Sequence, residues 1–574
     1  MTAEITRDSL RQLDDLPEFV AALAADDEPG LAVGVYASGE LAAAATSGCA
    51  VPEHGVPISE HTAFDIASVS KHMTSACLLL LAADGRLDLD ADIRASLPEL
   101  QLSRPVTLRQ CLTHTAGLRD YFALCDIAGI GVLAITEDRF VDLVAGQAEF
   151  DFEPGSAFSY SNTGYALAAV LVRRLTGTGL ARLAAERVFG PLGMTATHFR
   201  DDVSLLVPRL AGGYIVAARA RRDEASDAGR PGTGFRRYDV TEEVVGDGAV
   251  VTSLADLAAW HAFIASGAGL GVDIRDAMLA TQVLTDGTRI SYALGLNAID
   301  VAGNAAWWHS GSWAGYRAAV IYLPGLKAGV SVLANRDDRF ASYVALAVAT
   351  ALTGGSNLTS AYRALTGEPA PAGQGRREAR AIAGLWHEPD LDIFAEFEPG
   401  DSAADPQLIL RGQGGDLGFE LGTDGRWHGI GSAAGSTYRA ADGALIARWG
   451  LSPEREGRYT RVEPEWSRDS RPPPAAGIFF NEELRAHAAI RAGESGAAEI
   501  VIGLAAPRTL IPVSGALWRG VSSGSPGAGP VTVRVADDGS ALLVSAPGAR
   551  RVRFDRVRGA VGDPTIMRGL RGAK

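Results

Sequence analysis

Between Gly30 and Gly48 the apolar and small residues fall into two stretches, LAVGVYA and ELAAAATS, separated by Ser38-Gly39. Short apolar runs on either side of a glycine-containing turn predict two β-strands of one hairpin. Residues 13–25 before them read as an opening helix, and FDIASVSKHMTSACLLLL, from Phe64 to Leu81, predicts a long helix broken near AADGRL. From there to about residue 265 the pattern is mainly helical, as in TLRQCLTHTAGL (107–118), SNTGYALAAVLVRRLTG (161–177) and TSLADLAAWHAFIAS (252–266). In the last, Leu254, Leu257, Ala258 and Trp260 recur every three to four residues, the spacing that buries one helix face. Strand patterns return between about 290 and 335 in SYALGLNAI, YRAAVIYLP and AGVSVLANR, and ASYVALAVATALTG then predicts a helix. A sheet built from early and late strands, with helices between them, is the simplest arrangement. It predicts one large α+β domain with an antiparallel sheet and a helical region over residues 1–355.

Beyond 355 the long helical periods give way to short runs divided by turn signals. GEPAPAGQG is a plausible connector, and EARAIAGLW predicts a short helix at the next boundary. PQLILRG, DLGFELGTDGRW and STYRAADGALIARWG follow, then the proline cluster SRDSRPPPAA, a second connector. VTVRVADDGSALLVS is a strong hairpin signal: alternating side chains flank a turn containing glycine. Two small antiparallel β domains are expected, at 370–468 and 476–574.

Composition narrows the function classes. A formal charge of −15 and a pI near 5.2 argue against a nucleic-acid backbone or an anionic membrane as the main partner. Cys49, Cys77, Cys111 and Cys125 match no common metal or redox spacing and are expected to be separate reduced thiols. The ten histidines form no HxH or HExxH cluster, and no glycine-rich phosphate loop follows a predicted strand, so neither a metal nor an organic cofactor is expected. The first twenty residues lack the apolar core of a secretory leader, and no run of eighteen charge-free apolar residues is present. A cytoplasmic location is expected.

The basic residues hold the first chemical clue. Lys71, Lys327 and Lys574 are the chain's three lysines; arginine supplies the rest of its positive charge. Lysine can act as a neutral base when desolvated, whereas arginine effectively cannot. Lys71 stands three residues after Ser68, so in a helix the two share a face. Alone, this spacing fits an ordinary serine beside a surface lysine as well as a nucleophile beside its base. SYSNTGYALA then places Tyr160 and Asn162 two apart before a helix, either as cleft residues or as a packed ring and a helix cap. WWHSGSWAGYRAAVIYLP places His309 and Gly311 at a probable edge-strand entry, where a glycine permits close backbone approach and the Ser312 N–H can meet a carbonyl oxygen. A histidine behind two tryptophans also fits a structural role.

Taken together, Ser68-Val69-Ser70-Lys71, Tyr160-Ser161-Asn162 and His309-Ser310-Gly311 resemble, in that order, the motifs of the penicillin-recognising serine hydrolases, the class C β-lactamase and DD-peptidase group. TLRQCLTHTAGL, FEPGSAFSYSNTGYALA and GDGAVVTSLADLAAW extend the resemblance over about residues 25–350. It implies a β-lactamase/transpeptidase-like catalytic domain in which Ser68 is acylated and Lys71 activates it. Tyr160 would be the second acid and base, Asn162 a substrate- and lysine-binding group, and the amides of Ser68 and Ser312 an oxyanion hole. His309 stands where many members carry a lysine, and would orient Tyr160 or assist proton movement. That departure weakens a β-lactamase or DD-carboxypeptidase reading and favours esterases, D-amino-acid amidases and D-aminopeptidases.

The whole arrangement is similar to the D-aminopeptidases of this family, in which two eight-stranded antiparallel barrels follow the catalytic domain. The resemblance implies a cytoplasmic homodimer that releases an N-terminal D-amino acid from small peptides or amides. A D-amino-acid amidase or esterase, a general carboxylesterase and a non-catalytic sensor are the alternatives. WRGVSSGSPGAGP (518–530) is the candidate for a loop that reaches the cleft, or is an ordinary exposed loop. It holds no acid to meet a substrate amine, so Asp120, Asp126 or another carboxylate would have to do so.

Overall fold

A computed structural model of the chain describes residues 10–557 except 217–233, 339–340, 368–369, 371–372, 390–392, 401–405, 412–416, 431–435, 450–455, 463–476, 493–496, 504–506, 515 and 523–530. The Ser38-Gly39 turn joins β1 (Leu31–Ala37) to β2 (Glu40–Ser47). Its two residues have φ of 51° and 85°, the positive values that match a hairpin turn to the twist of its strands. The late strands are β3 (Asn297–Val301), β4 (Asn304–Trp313), β5 (Tyr316–Leu323) and β6 (Ala328–Ala334). They complete one six-stranded sheet in the order β3-β4-β5-β6-β1-β2. Leu31 lies opposite Ala334 and Ala37 opposite Ala328, so the two ends of the domain meet as antiparallel neighbours.

The sheet is covered on both faces, which explains why AAVIYL, from Ala318 to Leu323, is apolar throughout instead of alternating. Ala318, Val320 and Tyr322 pack into the core shared with the helical region. Ala319, Ile321 and Leu323 pack on the other face against Val344 and Val348 of the helix Ala341–Leu352. The helices that frame the site are α1 (Lys71–Ala83), α2 (Tyr121–Ala128), α3 (Thr163–Thr176) and α4 (Leu254–Ser266).

Two sequence-based expectations need correction here. The long helix over 64–81 begins only at Lys71; Phe64–Asp65 is a short strand paired with Val251 and Thr252, and Ala67–Ser70 is a 3-10 turn. The cause is local. Asp65 Oδ1 accepts the Ala67 N–H at 2.7 Å, and Ala67 takes a φ of 47°, which no α-helix admits. The strand read into 291–299 starts at Asn297, leaving Tyr292 outside the sheet.

Downstream, two closed antiparallel barrels of eight strands each follow the catalytic domain. The first runs from Gly384–Glu388 to Glu456–Val462 and closes through Trp386 opposite Arg461. The second runs from Gly477–Asn481 to Ala549–Arg556 and closes through Phe479 opposite Arg556. Closure removes exposed strand edges. The expected hairpin is present in the second barrel, with Thr532 opposite Ser545 and Val535 opposite Leu542. Of the segment 518–530, residues up to Ser522 belong to a barrel strand with Trp518 buried, and the remainder lies outside the described residues. Cys49, Cys77, Cys111 and Cys125 are all free and buried. Among the described residues no helix is long and apolar enough to cross a membrane.

Candidate active site

Ser68 occupies the 3-10 turn immediately before α1, where residues three apart eclipse one another. That turn brings Lys71 Nζ to 3.0 Å from Ser68 Oγ. Lys71 is fully buried, and its amine has two further partners: Asn162 Oδ1 at 2.8 Å and the Asp247 carbonyl oxygen at 2.6 Å. Those two groups can only accept hydrogen bonds, while a serine hydroxyl can donate as well as accept. The amine donates to all three oxygens; because a serine hydroxyl can itself donate, the same geometry lets the amine, once it has shed a proton, turn a lone pair to the Ser68 hydroxyl. A guanidinium has no such lone pair to offer.

Asn162 sits at the start of α3, where a side-chain cap was the competing reading. It makes no cap bond to the helix, and its oxygen is spent on Lys71. Its N–H donates to Asp120 Oδ2 at 2.6 Å, while Asp120 Oδ1 caps α2 by accepting the Phe122 N–H at 2.8 Å. Asp120 is thus a brace beneath the site. Burial raises its pKa, opposed by backbone donors and the Lys71 charge. Asp126 is also committed: its carboxylate pairs at 3.2 Å with Arg508 of the second barrel. Neither acid is available as the amine receptor considered from the sequence.

The Tyr160 ring lies over the amine, with Lys71 Nζ 5.0 Å from its centroid. Neighbouring rings are His114, at a centroid distance of 4.2 Å, His309, at 6.2 Å, and Tyr292, at 6.4 Å. His114 Nδ1 accepts the Ser161 N–H at 3.2 Å, which fixes the backbone between Tyr160 and Asn162. His309 Nε2 is 3.0 Å from the Tyr292 hydroxyl and its Nδ1 is 2.7 Å from the Ser310 carbonyl, so Tyr292 joins the histidine that the sequence linked to Tyr160.

His309 and Gly311 are not at a strand entry; they lie well inside β4. Strand β3 pairs only with Asn304–Trp308, so the stretch from His309 to Trp313 has no outer strand and faces the Ser68 turn instead. A Cβ on Gly311 would come within 2.0 Å of the Ile66 carbonyl oxygen. Only glycine allows this approach. Successive amides of a strand face opposite sides, which turns every second N–H of such a stretch to its unpaired edge.

These elements enclose a cavity of about 310 Å³ lined by Ser68, Tyr160, Asn162, His309, Ser310 and Ser312. Its remaining walls are largely aromatic, from Phe122, Phe158, Tyr292, Trp308 and Trp313, and they include two acids, Glu242 and Asp247. The Tyr121 hydroxyl donates to Asp247 Oδ2 at 3.1 Å. Burial is the main cause that pushes Asp247 up to about 6 and Glu242 up to about 8. Among the described residues no group of acids, histidines and cysteines has the arrangement of a metal site. Sequence reasoning missed Glu242, Tyr292 and His114, although TEEVVGDGA places paired acids within an apolar segment.

A serine hydroxyl facing a buried lysine amine, beside an unpaired strand edge and beneath a helical region, defines a serine hydrolase of the acyl-enzyme type. The beta-lactamase family model matches residues 16–354, and the chain belongs to that family. A D-aminopeptidase of Cereibacter sphaeroides (strain KD131 / KCTC 12085) is 28% identical over 95% of this chain and 98% of its own length. A D-aminopeptidase of Gluconobacter oxydans is 26% identical over 67% of each chain. Among solved structures, the octameric penicillin-binding protein homologue from Pyrococcus abyssi shares the fold, with a TM-score of 0.52 at 20% identity, covering 79% of this chain and all of that one.

Proposed function

We propose that this protein is a D-stereospecific aminopeptidase that releases an N-terminal D-amino acid from small peptides or amides through an acyl-enzyme. The observation that carries the reading is the Lys71 amine held between Ser68 Oγ, Asn162 Oδ1 and the Asp247 carbonyl. Lys71 takes the Ser68 proton as Oγ attacks the substrate carbonyl carbon. The amides of Ser68 and Ser312 hold the resulting oxyanion, with Gly311 admitting the strand to contact distance. The C–N bond then breaks while Tyr160 passes a proton to the departing amine and regains one from Lys71, and His309, through Tyr292, keeps that side of the cavity ordered. Lys71 takes a proton from the attacking water and returns it to Ser68 Oγ as the acyl C–O bond breaks, which restores Ser68 and releases the D-amino acid. Asn162 holds both Lys71 and the substrate amide.

Stereospecificity and the choice of an aminopeptidase are supported by similarity to relatives named D-aminopeptidases along nearly the whole chain, barrels included. The small cavity supports short substrates. No lysine or arginine is among its described lining residues, which disfavours substrates gripped by a terminal carboxylate, as a DD-carboxypeptidase or β-lactamase requires. The family resemblance supports a cytoplasmic homodimer, which sedimentation of the purified protein would check.

The test is a paired panel of D- and L-Ala p-nitroanilides, their N-acylated forms, small esters and nitrocefin. Highest kcat/KM on the free-amine D-anilide is expected; preference for acylated esters would make the protein an esterase instead, and nitrocefin turnover a β-lactamase. Ser68→Ala should abolish both turnover and covalent labelling by a serine-directed phosphonate. Lys71→Arg should lose at least about 100-fold in kcat although the charge is kept, and near-normal turnover would move proton removal to another group.

A further inference from the structure

An aminopeptidase must recognise an ammonium group, and the cavity wall holds an acid with nothing assigned to it. Glu242 lines the cavity together with Ser68 and is 7% exposed; its Oε2 makes no hydrogen bond of good geometry, although the neighbouring Trp313 indole N–H partly offsets the burial of the carboxyl. A buried carboxylate oxygen without a well-formed hydrogen bond is costly to keep and points to a missing donor. The other acids near the site are engaged differently. Asp247 accepts from the Tyr121 hydroxyl, Asp120 from the N–H groups of Asn162 and Phe122, and Asp126 pairs with Arg508. Asp65 accepts from the Ala67 N–H and does not line the cavity.

A second observation concerns the rings around Glu242. Phe122 and Trp313 share the cavity wall with it, their ring centroids 4.6 Å apart. Aromatic walls beside a carboxylate form a setting suited to a cation, which gains from the charge and, wherever it lies over a ring face, from the ring quadrupole. A neutral or anionic substituent gains neither.

We propose that Glu242 is the receptor for the α-ammonium group of the substrate, with the Phe122 and Trp313 rings walling that subsite. This rests on the aminopeptidase reading and deepens it by naming the residue that selects a free amine. Recognition couples to protonation. Burial first, with the charges of Asp65 and Asp247 adding to it and the Glu242 backbone and Trp313 side-chain donors opposing it, holds the Glu242 carboxyl protonated up to about pH 8 in the empty site. Tyr121 and Tyr238 also face it, each having its own pKa raised in part by the Glu242 charge. An α-ammonium titrates near the same pH, at about 8. Below that pH, formation of the ion pair moves the Glu242 proton to solvent; above it, the substrate loses the charge being recognised. Selection for a free amine is therefore strongest where the two titrations cross.

The experiment compares D-Ala p-nitroanilide with propionyl p-nitroanilide, which replaces the amine by hydrogen, on the full chain and its Glu242→Gln and Glu242→Asp variants. For Glu242→Gln the ratio of kcat/KM between the two substrates should fall by about 10- to 100-fold, the worth of one charge-assisted hydrogen bond. Glu242→Asp should restore part of it. A ratio that falls less than 10-fold overturns the assignment. The wild-type ratio reports separately on the aminopeptidase reading: no preference for the amine would sink that reading itself. Phosphonate labelling of Ser68 shows whether each variant is folded. Should Glu242→Gln fail to label, the wild-type KM decides: for the free-amine anilide alone it should fall as pH rises from 6 to 8, and equal pH profiles for both substrates overturn the proposal.

Discussion

The two barrels share strand number, closure and size, yet they are joined to the rest of the molecule in different ways. The first keeps its own core, in which Trp386, Phe397, Phe419 and Tyr438 pack with Ile382 of the preceding helix. It meets the second barrel through Phe394 against Val513 and Leu517 and through an ion pair of Glu396 with Arg519. The second barrel instead shares one continuous apolar core with the catalytic domain. Its Gly548 carbonyl accepts the Asp120 N–H at 2.7 Å, its Arg550 N–H donates to Asp151 at 3.0 Å, and Arg508 meets Asp126. Asp120 in turn holds Asn162, so the second barrel lies two hydrogen bonds from the residue that positions Lys71. A common fold thus serves as a separate body in one case and as an underlay of the catalytic site in the other.

The largest effect that can break this contrast comes from the buried ion pair. Asp126→Ala leaves Arg508, whose side chain is fully buried, without its carboxylate, and should cost about 3 kcal/mol of stability while lowering turnover. Glu396→Ala, at the contact between barrels, should lower the denaturation midpoint without changing kcat. Equal kcat for both variants would show that the second barrel does not support the site.

A sharper comparison uses two turn glycines with similar strain and different surroundings. Gly443 in the first barrel has a φ of 72° with nothing within 4 Å of a Cβ; Gly548 in the second has a φ of 90°, and a Cβ there would lie 2.9 Å from the Asp120 Cβ. Alanine at either should cost about 1–2 kcal/mol for the left-handed backbone. Only Gly548→Ala should displace Asp120 and lower kcat, by about 10-fold, as expected for a small misplacement of catalytic groups. Steady-state kinetics on the free-amine anilide distinguishes the two.

The smallest effect separates the catalytic domain from both barrels by pH. In the folded protein Glu242 holds its proton to about pH 8, whereas an unfolded glutamate releases it near 4.5. Its contribution is therefore fully present below about 4.5 and is lost as pH rises through 8, because the folded state binds more protons over that window. Asp65 and Asp247, both raised to about 6 by burial, act in the same sense between about 4 and 6. Glu242→Gln should reduce the drop in melting temperature between pH 5 and pH 8, and an unchanged drop would place its origin elsewhere.

The readable parts of the site were those held by short motifs. Ser68 and Lys71 must be three apart to touch, and Tyr160 and Asn162 flank one turn, so their spacing survives in the sequence. The partners that complete the site are remote or anonymous. Lys71 reaches Asp247 through a backbone carbonyl 176 positions away, an acceptor that any residue would provide. Glu242 enters the cavity from a segment without regular periodicity, and Tyr292 precedes a strand it was assigned to. The barrels were legible from turn spacing, but their closure depends on pairs such as Trp386 with Arg461, which no local pattern marks. Propensity misread residues 64–70 as helix because it counts apolar side chains and not the Asp65 carboxylate that captures a backbone N–H.

The approach of Gly311 to the Ile66 carbonyl has an evolutionary consequence. Any side chain at that codon would pry the strand from the nucleophile turn, so the position is closed to mutational exploration. Ser310 and Ser312 on either side line the cavity and carry replaceable side chains. New substrate preferences can arise by drift at these two neighbours, while the residue between them holds the acylation geometry constant across that change.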